Sequence, residues 1–513
     1  VFTCKNLSVT LASGRKLVEN LTFSMSDHNH IGLIGEEGNG KSTLLKIFAG
    51  DQPDYVRITG FFYSDQKIGY LPQQFDEKWL DQEPLHYLLS EEPQKEIEIS
   101  AWNRLSEIEK LAVQLKIDHD LIYRDQNIST LSGGEKVRLL FLKMMMNEPE
   151  IFLLDEPSND LDLDALVWME NWIKNQSAPI LFISHDIRLL NTCANKILHI
   201  ELRNKKTKTL NTIYSGKYDE YLESRANLLN RQSRIASEEK REYLKKKQRL
   251  NDLHNKVEGR LKTVSRQAPH EGKMLKRSMR SVLNAQDALE NQSYSKTDSV
   301  EEGIGFILPE RSFPSNKKLL DLEHFCLSVN GKLLISEFGL RLIGPVHLVI
   351  TGKNGCGKTT LLRQIKEILK DTPGITVGYL PQNYEEVFKA VSTPAEYLEQ
   401  FTENSVLARK ALGSMKFTEN ELEQKISKCS GGQKVKMILA SMAMRNCNVL
   451  LLDEPTRNLS PLSARVLSEE LSRWNGAIIA ISHDREFIQE VFTLKAVIED
   501  QIFQIHSMDE KPD

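Results

Sequence analysis

The chain has 513 residues, too long for one hydrophobic core and suited to two large domains with a spacer. Its formal net charge of −4 conceals an uneven distribution: residues 221–300 hold 18 Lys and Arg against 10 Asp and Glu, a local +8, which leaves −12 for the remainder. The apolar runs APILFIS and AIIAIS fall far short of the roughly 18 residues that cross a bilayer, and the start lacks the basic-then-apolar pattern of a signal peptide. The six cysteines, without CxxC spacing, read as reduced thiols; a cytoplasmic protein that does not span a membrane is expected.

In chain order, the first element is an apolar strand running into GEEGNGKS, Gly35–Ser42, followed by the helical stretch LLKIF. This satisfies the phosphate-loop pattern GxxxxGK[ST]. Gly35, Gly38 and Gly40 let backbone N–H groups face phosphates at a helix N-terminus. Lys41 would reach the β- and γ-phosphates, Ser42 would ligate Mg2+, and Thr43 follows in the same turn. IGYLPQQ then brings Gln73. A small helical arm is expected at about 76–125, before LSGGEK with Ser132, Gly133 and Gly134. FLLDEP is an apolar strand ending in Asp155, a candidate Mg2+ ligand, and Glu156, which would polarise a water. His185 closes the next apolar strand, 29 residues after Glu156; alone it would be read as structural, and within this constellation it reads as a γ-phosphate sensor.

Residues 218–300 form a spacer rich in Lys, Arg, Glu, Gln and Leu. Leu250, Leu253, Val257, Leu261 and Val264 recur three or four apart, and Leu275, Met279 and Val282 continue likewise, with Leu289 seven residues further on. Two helices are predicted, joined at Gln267 to Gly272, with Pro269 and Gly272 turning an antiparallel hairpin whose tip is 264–273. Its faces are basic, as in KREYLKKKQR and KMLKRSMR. A solvated spacer is one reading; contact with a polyanion is the other, and the net +8 between two phosphate-loop modules favours it.

Beyond the spacer the first half repeats. Ser430, Asp453 and His483 each follow Ser132, Asp155 and His185 by 298 positions, a coincidence chance does not produce. Gly352, Gly355, Gly357, Lys358, Thr359 and Thr360 form the second phosphate loop, followed by Gln382, Ser430, Gly431, Gly432, Asp453, Glu454 and His483. The first copy is 11 residues longer between its glutamine and its SGG motif. After DEP, TRNLSPL replaces SNDLDLD, so Ser460 stands where Asp162 has its counterpart, and the two sites are expected to be inequivalent.

The order phosphate loop, glutamine, SGG[EQ], DEP, SHD resembles the nucleotide-binding domain of ATP-binding-cassette proteins, twice over. The resemblance implies an α/β fold: two phosphate-loop cassettes, 1–217 and 301–513, joined by an antiparallel helical hairpin, 218–300. It also implies a head-to-tail sandwich within a monomer, holding two ATP. One site would combine Lys41, Gln73, Glu156 and His185 with Ser430, Gly431 and Gly432. The other would combine Lys358, Gln382, Glu454 and His483 with Ser132, Gly133 and Gly134. Gln73 and Gln382 would join Ser42, Thr359, Asp155 and Asp453 around Mg2+, and Gln73, Gln382, Glu156, Glu454, His185 and His483 would serve hydrolysis. Upstream of the loops, TLASGRK and SVNGKLL lack the aromatic that usually stacks on adenine.

Two cassettes, a helical linker, the YSGKYDEYLESR entry and no membrane domain resemble the ABC-F family of translation factors. That resemblance implies an ATPase that enters the exit site of the 70S ribosome in its ATP-bound form. Its hairpin would reach toward the P-site tRNA and the 23S rRNA of the peptidyl-transferase centre, with Arg260, Lys262, Arg266, Gln267, His270 and Lys273 as candidate contacts. A modest arm and the absence of DEPTNHLD from both copies favour an antibiotic-protection member over a housekeeping translation factor. A cytosolic pair energising a separate transporter, or a nucleic-acid remodelling ATPase, are the readings from other classes.

Overall fold

The computed structural model describes residues 1–159, 161–203, 208–263, 269–290, 303–309, 313–329, 331–388 and 392–508. They fall into two compact units, Val1–Tyr218 with Val300–Asp513, and Asp219–Ser299.

The first unit is built on two six-stranded sheets of one topology. In the first, the strands lie in the order Ile68–Leu71, Ile151–Asp155, Ile180–Ile183, His30–Ile34, Lys196–Arg203, Lys208–Ser215. In the second the order is Val377–Leu380, Val449–Asp453, Ala477–Ile481, His347–Gly352, Leu494–Glu499, Ile502–Ser507. Neighbours pair in parallel except at the last strand of each sheet, which is antiparallel. The second strand of each sheet, IFLLD or VLLLD, is buried at every residue. Helices therefore cover both faces, which is why these strands read as continuous apolar runs rather than alternating ones. Antiparallel sheets accompany each half: Lys16–Met25, Phe2–Leu11 and Val56–Ser64 in the first, Lys318–Val329 and Lys332–Ile343 in the second.

The arm expected at about 76–125 is narrower than that as an insertion. Helices Pro84–Leu89, Leu105–Gln114 and His119–Ile122 have counterparts in Pro394–Glu399, Ser405–Ser414 and Glu419–Leu422. The extra residues are concentrated between Leu89 and Leu105, where the first copy adds the 3-10 segment Ile99–Arg104. Lys143, on helix Gly133–Met145, ties this helical region to that helix: its ammonium donates to the carbonyls of Tyr87 (2.9 Å), Leu88 (2.8 Å) and Ser90 (3.0 Å) at the end of helix Pro84–Leu89, where the unpaired carbonyls favour a cation.

The second unit holds one helix to Thr263, which begins at Tyr218, and another over Pro269–Glu290. The first runs 46 residues, about 69 Å at 1.5 Å per residue. Gln286 Nε2 donates to Asn251 Oδ1 across the pair at 3.0 Å. Two details differ from the sequence expectation. Pro269 and Gly272 do not form the turn; Pro269 opens the second helix, where its missing N–H costs nothing, and Gly272 lies inside it. The connection, 264–268, with Val264, Arg266 and Gln267, lies outside the described residues. Leu253 is 48 % exposed; the shielded positions are Leu250, His254, Val257 and Leu261, spaced four, three, four. Arg260, Lys262 and Lys273 are exposed.

Candidate active site

Each phosphate loop joins the central strand of its sheet to a helix, Lys41–Phe48 or Lys358–Lys370. The glycines are sterically required. A Cβ on Gly35 would meet Ile200 O at 2.4 Å, and one on Gly352 would meet Ile498 O at 2.5 Å. Gly40 and Gly357 cap the helices with φ of 82° and 103°, a region that L side chains avoid. Lys41 Nζ bridges its loop by donating to the carbonyls of Gly35 (2.7 Å) and Glu36 (3.1 Å), and Lys358 Nζ does the same to Gly352 (2.7 Å) and Lys353 (3.0 Å).

The carboxylates sit at the adjoining strand end. Ser42 Oγ donates to Asp155 Oδ1 at 3.0 Å, and Tyr70 Oη lies 3.4 Å from Asp155 Oδ2. Thr359 hydrogen-bonds Asp453 in the same way. Burial, then the neighbouring Glu156 charge, pushes Asp155 up to about 6. Burial, then Asp453, pushes Glu454 up to about 8. Glu156 and Glu454 have φ of 51° and 52°, a left-handed conformation uncommon outside glycine and found at strained functional positions. Their N–H groups are fixed on Ile183 O (3.1 Å) and Ile481 O (2.9 Å). His185 Nε2 is 2.9 Å from Glu156 Oε1, and His483 Nε2 is 3.7 Å from Glu454 Oε1. Burial, then Lys358, depresses His483 to about 4. Among the described residues, Glu156 Oε2, Glu454 Oε1 and Asp453 Oδ2 are buried without a hydrogen-bond partner. Hydroxyl and carboxylate oxygens with spare acceptor capacity suit a hard divalent cation.

The two halves of the first unit complete each other's sites. A cavity of about 620 Å³ is lined by Gly355, Gly357, Lys358, Thr359, Thr360, Gln382, Asp453, Glu454 and His483, and also by Ser132 and Gly133 from the other half. Gly134 and Gly352 are not among its lining residues. Thr130, Asn159, Thr456 and Arg457 line it too, and sequence reasoning missed them because a loop motif does not say which face it turns. Leu334 stands in the lining and against the Cβ position of Gly357, as Leu17 does at Gly40. Each loop thus has an aliphatic neighbour, and Arg15 Nη2 adds a bond to Gly38 O at 3.2 Å.

In the other site, the first phosphate loop meets the second SGG segment: a Cβ on Gly432 would lie 2.5 Å from Glu37 Cγ. Ser430 and Ser132 each cap their helix through a reciprocal box with Gln433 or Glu135, which places Gly431 and Gly133 at helix N-termini. Gln73 and Gln382 are both exposed, each in the loop after its strand, and of the two Gln382 lines the cavity. Two further pairings cross between the halves. Arg485 binds Glu170. Asp186 feels the charge of Asp484, and burial followed by that repulsion pushes it up to about 6.

A family model described as ABC transporter matches the chain twice, over residues 18–159 and 344–457. The chain is a tandem ATP-binding-cassette protein. Relatives align with this tandem cassette protein through both halves and the hairpin. ABC transporter F family member 5 of Arabidopsis thaliana is 24 % identical over 547 residues, covering 97 % of this chain and 75 % of that protein. The putative ATP-binding protein YdiF of Bacillus subtilis (strain 168) is 27 % identical over 520 residues, covering 93 % and 77 %. Among solved structures, the complex of archaeal ribosomal stalk protein aP1 with archaeal ribosome recycling factor aABCE1 superposes with a TM-score of 0.60 at 16 % identity, over 98 % of this chain and 90 % of that one; at that identity the likeness is one of fold. The tandem cassette protein is thus an ATP-binding protein of the ABC-F kind, with the ATPase activity its cassettes imply. Among the described residues, no helix is long and apolar enough to cross a membrane.

Proposed function

We propose that this protein is a ribosome-binding ATPase whose closed, ATP-bound form enters the exit site and directs its hairpin toward the P-site tRNA and the peptidyl-transferase centre, protecting translation from antibiotics bound there. The observation that carries the reading is the basic helical hairpin, 46 and 22 residues in its two helices, interposed in the chain between two cassettes. Its exposed Arg260, Lys262 and Lys273 supply cations suited to RNA phosphates, which dominate affinity for nucleic acid. The archaeal relative of like fold is named a ribosome recycling factor, and relatives named ABC transporter F family align through the hairpin.

In this reading the backbone N–H groups of the phosphate loops, with Lys41 and Lys358, hold the triphosphates. Ser42 with Asp155, and Thr359 with Asp453, hold Mg2+, joined by Gln73 and Gln382; the ion would neutralise phosphate charge. Glu156 and Glu454 orient and deprotonate water, and His185 and His483 serve as γ-phosphate sensors, His185 lying beside Glu156 at 2.9 Å. Ser132 to Gly134 and Ser430 to Gly432 close each site from the opposite cassette, so that hydrolysis loosens the closed form and releases it.

The test is sedimentation of the Glu156→Gln, Glu454→Gln variant with bacterial 70S ribosomes and ATP, followed by cryo-EM of the pellet. ATP-dependent co-pelleting with the 264–273 region beside the P-site tRNA is the expected result. Pelleting with membrane vesicles instead would replace the reading with that of a transporter-energising pair. The protective role has its own test: expression in a sensitive host should raise tolerance to drugs of the peptidyl-transferase centre, and unchanged tolerance across them would leave a translation factor without that role.

A further inference from the structure

The first phosphate loop carries two glutamates, Glu36 and Glu37, where the second carries Lys353 and Asn354. Neither glutamate points to solvent. Lys436, on helix Gly431–Met444 of the second cassette and 4 % exposed, places its ammonium 2.7 Å from Glu36 Oε2 and 2.7 Å from Glu37 Oε2. Ser460 Oγ donates to Glu36 Oε1 at 2.7 Å, Ser463 Oγ to the same oxygen at 3.1 Å, and the Ser460 N–H to Glu37 Oε1. Ser460 and Ser463 are 1 % and 0 % exposed. Five groups from two cassettes thus form one buried cluster, and every bond in it joins protein atoms.

Ser460 is the departure from the repeat noted in the sequence, and the cluster explains it. An aspartate there would set a third carboxylate within hydrogen-bond distance of Glu36, with one lysine for three acids. A hydroxyl donates instead. In the repeat, the positions matching Lys436 and Ser460 are Arg138 and Asp162, so the second site combines Lys353 and Asn354 in its loop with an arginine and an aspartate from the other cassette. The chemistry of the two faces is different in kind.

We propose that Glu36, Glu37, Lys436, Ser460 and Ser463 form a latch that holds the first composite site together without nucleotide, so that the cassettes open and close at the second site. Removing one partner of such a buried ionic cluster leaves the others uncompensated, whereas the second site depends on what fills its cavity. The latch concerns the cassettes alone and stands apart from any ribosome reading.

The experiment measures spin-label distances in the full-length protein with genetically encoded keto residues, which spare the native cysteines. One pair spans the first site, at exposed Ser13 and Arg465; the other spans the second, at Leu333 and Val167, which are 42 % and 44 % exposed. On removing ATP the second pair should lengthen while the first keeps its distance. Lengthening of both pairs together in the unsubstituted protein would overturn the latch. Ser460→Asp and, separately, Lys436→Met should release the first pair, and Glu36→Gln added to Ser460→Asp should shorten it again. A first-site distance unmoved by either single substitution would likewise refute the proposal.

Discussion

The two second glycines of the SGG segments are related by the repeat yet meet different surroundings, which gives a sharp test of the packing. A methyl added at Gly432 would lie 2.4 Å from Asn458 O and 2.5 Å from Glu37 Cγ, whereas one added at Gly134 finds nothing within 4 Å. The glutamate side chain can shift; the Asn458 carbonyl, part of the backbone, cannot easily. Forcing a methylene into a filled space costs about 1–3 kcal/mol. Ala in place of Gly within a helix gains up to about 1 kcal/mol, and at Gly134 nothing opposes that gain. With Tm moving about 2–4 °C per kcal/mol for a domain of 150–250 residues, Gly432→Ala, net of the same helix gain, should lower the melting temperature of the nucleotide-free protein by up to about 12 °C. Gly134→Ala should leave it unchanged or slightly raised. Differential scanning calorimetry of the two variants side by side decides the matter, and equal shifts would mean that the first loop does not rest against Gly432.

Three other outcomes are expected. If turnover is gated at the second site, Glu454→Gln should cut steady-state ATP hydrolysis by about 10²–10⁴-fold, the usual contribution of a positioned acid or base, and Glu156→Gln much less; the reverse order in a phosphate-release assay would contradict it. Asp186 faces Asp484 and Glu486, and its carboxyl is raised from 3.8 to about 6, so the native state keeps a proton that the unfolded chain has lost, and this stabilisation fades as pH rises through about 6. Asp186→Asn, which still caps its helix, should therefore gain Tm on the unsubstituted protein chiefly as pH rises from 3.8 to about 6, the interval between the unfolded and folded values; a constant gap in thermal scans would rule out the raised carboxyl. Replacing Arg260, Lys262 and Lys273 with Gln should flatten the salt dependence of ribosome binding by about one log–log unit for each lost phosphate contact, and an unchanged slope in filter binding would remove these residues from the RNA interface.

The local chemistry was legible in the sequence because it is written in contiguous stretches. Glycines that must admit a carbonyl at 2.4 Å, a hydroxyl beside a lysine at a helix start, and an apolar strand ending in two acids each impose a spacing along the chain. Two copies at one offset then carry the architecture. The hairpin was legible in outline, but not its turn: proline suits the first position of a helix as well as a bend, and only the helix beginning at Pro269 decides between them. The shift of the seam from Leu253 to His254 has a similar origin, since one residue along a helix rotates the facing side by about 100°.

What the sequence alone could not decide is who meets whom. Glu36 and Lys436 are 400 positions apart, and nothing in GEEG says that its acids turn away from the solvent toward the other cassette. Ser460 read only as a missing aspartate; its hydroxyl has a role because Glu36 Oε1 lies 2.7 Å away. Motif spacing is fixed by covalent geometry and local turns, which a linear code states directly. Charge pairing between distant loops depends on how two folded surfaces pack, and burial sets its strength, so it emerges only once the tertiary structure has brought the partners together and excluded water from them.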